Sequence, residues 1–246
     1  MSYAIFIFTK KEGKQLAIAN ANFISGCCEN ELKKYDKAIS LLKESLILRK
    51  EILGNNNHDV VENLHRLGTV YANKLEFKLA VAPLKESFHI LVTMIGPKQL
   101  GIADILLDLG QVLYSLNRLD ETFFSYAEAL EIFRIHYGNK HLKVAKCLGL
   151  LGCLCDDKKE ISECIQYFEE AINVYNFCLD KKILKGLFID QVIKDGCLSW
   201  ASTVYNLATV QERQGQIEEA GKSYTSKLIK LFVLSKVEFS LSAYLS

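Results

Sequence analysis

Net charge is almost absent from this sequence: 30 lysines and arginines against 29 aspartates and glutamates leave +1 over 246 residues. A chain that binds nucleic acid or an anionic membrane surface carries a basic excess or a basic block. Neither is present, so neither partner is expected. Long apolar runs are also missing. The tail LIKLFVLSKVEFSLSAYLS is broken by Lys230, Lys236 and Glu238, and no run approaches the roughly 18 residues of a membrane span. Residues 3–8, YAIFIF, follow an uncharged start and stop at Thr9-Lys10-Lys11, short of the basic start and at least about seven apolar residues of a secretory signal. A cytoplasmic location is the expectation.

The eight cysteines (Cys27, Cys28, Cys147, Cys153, Cys155, Cys164, Cys178 and Cys197) contain no CxxC, and the five histidines never join them at zinc-site spacing. No metal and no cofactor is expected; the thiols read as small buried side chains in a reducing compartment. Catalytic pairings are lacking as well. Asp156-Asp157 and Glu169-Glu170 are adjacent, so on a helix the members of each pair point in different directions. His136 and His141 have no carboxylate or cysteine three or four residues away, and His89 has Glu86 alone, three residues before it. Cys153 and Cys155, two apart on a helix, diverge by about 200°, which strains a disulfide. An enzyme is not expected.

What is there is a period. Gly26, Gly68, Gly110 and Gly152 lie 42 residues apart, and Gly54, Gly96 and Gly138 form a second series at the same spacing. With 14 glycines in 246 positions, three further coincidences at prescribed places have a chance probability of roughly two in ten thousand, so the period is real. Tyr35, Phe77, Leu119 and Ile161 obey it, as do Leu64, Leu106 and Leu148.

Each period holds two amphipathic helices. Val60, Val61, Leu64, Leu67, Val70 and Tyr71 recur at steps of three and four after a start marked by Asp59 and Glu62. After a break at Asn73-Lys74, Phe77, Ala80, Val81, Leu84, Phe88, Leu91 and Ile95 trace a second helix that ends at Gly96-Pro97. No segment alternates with period two, so the chain reads as all-α. A glycine inside a helix costs about 1 kcal/mol relative to alanine. Gly68 and its equivalents therefore read as packing devices, with Ala38 and Ala80, twelve residues on, as the small residues expected opposite.

With Val61 as position 1, Leu64, Leu67, Gly68, Tyr71 and Ala80 fall at positions 4, 7, 8, 11 and 20, and Leu106, Leu109, Gly110 and Leu148, Leu151, Gly152 follow suit. This pattern resembles the tetratricopeptide repeat. The length and joints, best in YGNKHLKVA (137–145), are similar to the 42-residue kinesin light chain subtype. The resemblance implies an α-α superhelix, a solenoid of about five helix-turn-helix repeats near 19–54, 61–96, 103–138, 145–180 and 201–230, with an insertion at 181–198. Residues 1–18 form an N-terminal segment, and the apolar tail 231–246 is a candidate cap. Pro83, inside a second helix, removes a backbone hydrogen bond and is expected to bend it.

The family resemblance implies a non-catalytic scaffold or adaptor that holds a partner's peptide or helix against the first helices. Positions 2, 5, 6, 9 and 12 share one side of those helices. They select Glu62, His65, Arg66 and Thr69; then Asp104, Asp108, Gln111 and Tyr114; then Lys146, Cys153 and Asp156; and finally Tyr205 and Asn206. The middle of this set is mildly acidic, suiting a segment with basic and aromatic residues. The alternative is a structural or regulatory array that packs on another domain or self-associates through its C-terminal tail.

Overall fold

The computed structural model describes residues 2–184, 191–216, 218–222 and 225. Among the described residues the chain is helical and without strands. The helices are α1 (Ser2–Glu31), α2 (Tyr35–Leu53), α3 (His58–Asn73), α4 (Phe77–Ile95), α5 (Leu100–Ser115), α6 (Leu119–Tyr137), α7 (Leu142–Asp157), α8 (Ile161–Leu184) and α9 (Gln191–Arg213). Two compact units are present, Met1–Ile132 and Phe133–Ser246. In the first, α1 packs on α2 and α3 on α4, and successive hairpins join through α2 on α3 and α4 on α5. In the second, α7 packs on α8 and α9 lies against both.

The apolar stripes named above are what these contacts bury. Leu64, Leu67, Val70 and Tyr71 of α3, Ala80 and Leu84 of α4, and Leu106, Leu109 and Leu113 of α5 are all buried in the first unit. Cys155, Cys164, Phe168, Leu207 and Val210 form a core cluster in the second.

Two local signals differ from expectation. Helix α3 is capped by Asn57, whose side chain accepts from the Asp59 backbone N–H at 2.8 Å; Asp59 already lies in the first turn, so the start falls two residues earlier than the Asp59 and Glu62 pattern suggests. A Cβ built on Gly68 would stand 2.5 Å from Leu84 Cγ but 3.4 Å from the Ala80 carbonyl, so the glycine makes room mainly for the large side chain 16 residues on. Helix α4 runs from Phe77 to Ile95 with Pro83 on its buried face. The surplus near 181–198 goes into helix length. α8 has 24 residues and α9 has 23, against 19 in α4 and 16 in α7. The tail 231–246 lies outside the described residues, and α1 continues through residue 18.

The turns repeat as faithfully as the helices. Lys33, Leu75, Asn117 and Lys159, 42 residues apart, have φ of 59°, 65°, 58° and 63°. Each is followed by the six-to-one bond of a helix-terminating turn, such as Glu76 N–H to Tyr71 C=O at 2.9 Å. At the opposite joints Gly54 (φ 79°, ψ 170°) and Gly96 (φ 83°, ψ 165°) occupy a region open essentially to glycine alone.

Candidate protein-binding face

In the first unit, α3 and α5 are first helices of successive hairpins and touch along one side. Packing takes positions 4, 7, 8 and 11 of each, which leaves the neighbouring stripe at the surface. Glu62, Arg66 and Gln111 are exposed, and His65, Thr69, Asp104 and Asp108 are half-buried. Tyr114 is also exposed. His65 Nε2 and Asp108 Oδ2 lie 2.7 Å apart, tying α3 to α5. The Asp108 carboxylate is therefore already in contact with an imidazole, and the acidic middle of the face is partly matched from within. Thr69 donates to the His65 carbonyl at 2.9 Å, a bond inside its own helix.

Thr69, Asp108 and Gln111 line one pocket of about 350 Å³ between α3 and α5, together with Ala72, Asn73 and Leu75 on one side and Val112 and Ser115 on the other. Three residues selected from the sequence thus meet around one space. Below it, Phe77 and Leu84 of α4 form an apolar floor.

In the second unit, Lys146 and Tyr205 are exposed, and Cys153, Asp156 and Asn206 are half-buried. Asn206 Nδ2 donates to Cys153 Sγ at 3.2 Å. Burial raises the Cys153 thiol above its ordinary range against the opposing effect of that bond, so the sulfur is protonated at neutral pH and is a poor nucleophile. Cys155 and Cys164, deeper still, are pushed by burial to about 11 and about 12. The seven described cysteines are free thiols. Among the described residues no group of three His, Cys, Asp or Glu side chains converges as a metal site, and no helix is long and apolar enough to cross a membrane.

Arg213, which the position rule did not select, donates from Nη2 to both Asp156 oxygens at 2.7 and 2.6 Å. Asp156 in turn strengthens the hold of Arg213 on its proton. A signal for it exists. Asn30–Asn73 and His65–Asp108 are both 43 residues apart, and Asp156–Arg213 are 57 apart, which is 43 plus the 14-residue displacement of the last repeat.

Two family models, each described as tetratricopeptide repeat, match residues 29–59 and 101–176. Both stretches belong to the tetratricopeptide-repeat family. Solved structures carry the same fold. BtubC (BKLC) from P. vanneervenii is similar with a TM-score of 0.74 at 17% identity, over 94% of this chain and 87% of that one. A putative kinesin light chain from P. anserina with nearly identical TPR-like repeats follows at 0.68 and 13%, over 85% and 93%. The Rap conjugation gene regulator of plasmid pLS20, in complex with the Phr* peptide, gives 0.59 at 21% identity over 98% of this chain and 60% of the regulator. No curated protein sequence matches.

Proposed function

We propose that this chain is a non-catalytic scaffold that binds a segment of a partner protein against its first helices, with the α3–α5 face as the principal contact. The observation that carries this reading is the pocket in which Thr69, Asp108 and Gln111 meet over an apolar floor. A space of this size takes one or two side chains of a peptide, and its polar rim supplies donors and acceptors for orientation. The peptide held by the Rap regulator, a protein of the same fold, is consistent with it. Glu62, Arg66, Asp104 and Tyr114 extend the face along α3 and α5. Lys146, Cys153, Asp156, Tyr205 and Asn206 are proposed to contribute a further contact in the second unit. The thiols of that unit are held protonated by burial, which suits packing better than chemistry.

The test is selection of a phage-displayed random peptide library on the full chain, followed by fluorescence anisotropy with the synthesised winners. Thr69→Arg and Gln111→Arg place a bulky charge on partly or fully exposed positions and leave the core alone. Each is expected to weaken binding at least tenfold with an unchanged circular dichroism spectrum. Winners indifferent to both substitutions, or a library from which nothing is enriched, would remove the face from consideration.

A further inference from the structure

The left-handed turn residues are Lys33, Leu75, Asn117 and Lys159, with Gly215 (φ 74°) one displaced period later. An L-residue in this region is strained by roughly 1–2 kcal/mol, and glycine or a short polar residue is the usual occupant. Leu75 differs from the other four in being large and apolar, and its side chain is 72% exposed. It thus combines a strained backbone with an apolar side chain in water, and neither is offset by packing within the chain. The conformation itself belongs to the turn in every repeat; what is particular to position 75 is a large apolar side chain held in water.

Its surroundings indicate what for. Leu79, 55% exposed, lies one helical turn on. With Leu75, Phe77 and Leu116 it lines a shallow depression of about 440 Å³ at the α3–α4 turn, where Glu76 and Lys78 bring opposite charges. Leu75 and Phe77 also line the α3–α5 pocket, so the depression and the pocket adjoin. Among the residues lining that pocket, the charged one is Asp108, whose Oδ2 already lies 2.7 Å from His65 Nε2. An apolar shelf running into a pocket with a single carboxylate complements a ligand that pairs an apolar side chain with a cation.

We propose that Leu75, Leu79 and Leu116 anchor an apolar side chain of a bound peptide while Asp108 receives a neighbouring lysine or arginine. The proposal rests on the peptide-binding reading above and names the class of peptide that the face selects. It also makes Leu75 a residue kept for recognition at the expense of stability.

Leu75→Gly separates the two roles. Relief of the left-handed strain is expected to raise the thermal midpoint by about 1–4 °C, while affinity for the library-selected peptides falls at least tenfold. The selected peptides should carry a lysine or arginine beside a leucine, isoleucine, methionine or phenylalanine, and Asp108→Asn should weaken them by a similar factor. A lowered midpoint in Leu75→Gly would make Leu75 a structural residue and overturn the proposal. Unchanged affinity in Leu75→Gly, with Thr69→Arg still disruptive, would remove the anchor and leave the peptide-binding face standing. Peptides rich in acidic residues would also overturn it. Indifference to every substitution, or no enrichment at all, would overturn both.

Discussion

A methyl group added at Gly110 would stand 2.5 Å from Tyr126 Cε1, and one at Gly152 would stand 2.6 Å from the Phe168 ring. Both distances are far inside van der Waals contact, and the aromatic rings that cause them are fully packed. At Gly26 the nearest atom is Leu42 Cγ at 2.9 Å, a smaller overlap than at Gly110 or Gly152. Alanine gains about 1 kcal/mol over glycine in a helix, which overpacking of the core outweighs only where the neighbour cannot yield. Gly110→Ala is therefore expected to lower unfolding free energy by about 1–3 kcal/mol, with Gly26→Ala nearer neutral, as urea denaturation of the two variants will measure. The 42-residue period made these glycines visible in the sequence. What they face was not visible, because Ala80 and Leu84 obey the same period, and repetition alone cannot choose between an offset of 12 and one of 16. The turn residues were hidden for a similar reason: Lys33, Leu75, Asn117 and Lys159 share a backbone conformation but no side-chain chemistry.

Between elements the same spacings recur as contacts. On the second helices, Lys50–Glu86, Lys85–Glu121 and Arg134–Glu170 are ion pairs 36 residues apart, at 2.6, 3.2 and 2.6 Å. On the first helices the spacing is 43, or 57 across the longer α8 and α9. Exposed pairs of this kind contribute at most about 1 kcal/mol each, so they fix register more than they stabilise. The helix periodicity of the candidate face was legible, and Thr69, Asp108 and Gln111 were chosen on it. Arg213 was not, since matching it to Asp156 requires knowing that the surplus residues lengthen two helices without changing how α7 and α9 face one another. That register is testable. Arg213→Glu is expected to cost about 1 kcal/mol through like-charge repulsion with Asp156, and Asp156→Arg in the same chain to restore most of it. A double-mutant cycle with no coupling between the two positions would contradict the alignment of α7 with α9.

For the whole molecule, repetition implies that stability is held locally. Within each unit a hairpin covers the apolar face of its neighbour, so the free energy is a sum of repeat and nearest-neighbour contributions rather than the property of one core. The buried residues agree: Phe23, Leu42, Leu67, Leu84 and Leu113 cluster in the first unit, and Cys155, Phe168 and Leu207 in the second. The chain supplies a reporter for this. Its single tryptophan, Trp200, is fully buried on α9 in the second unit, whereas far-ultraviolet circular dichroism follows every helix. Gly110→Ala weakens the packing of α5 on α6, many residues from Trp200 in sequence and in the other unit. In a urea titration it should lower the midpoint seen by circular dichroism and broaden that transition, while the Trp200 fluorescence midpoint moves less. Coincident shifts in both signals would mean that the chain unfolds as one cooperative body, in which case a substitution on the α3–α5 face could alter the second unit, and binding effects there could no longer be read as local.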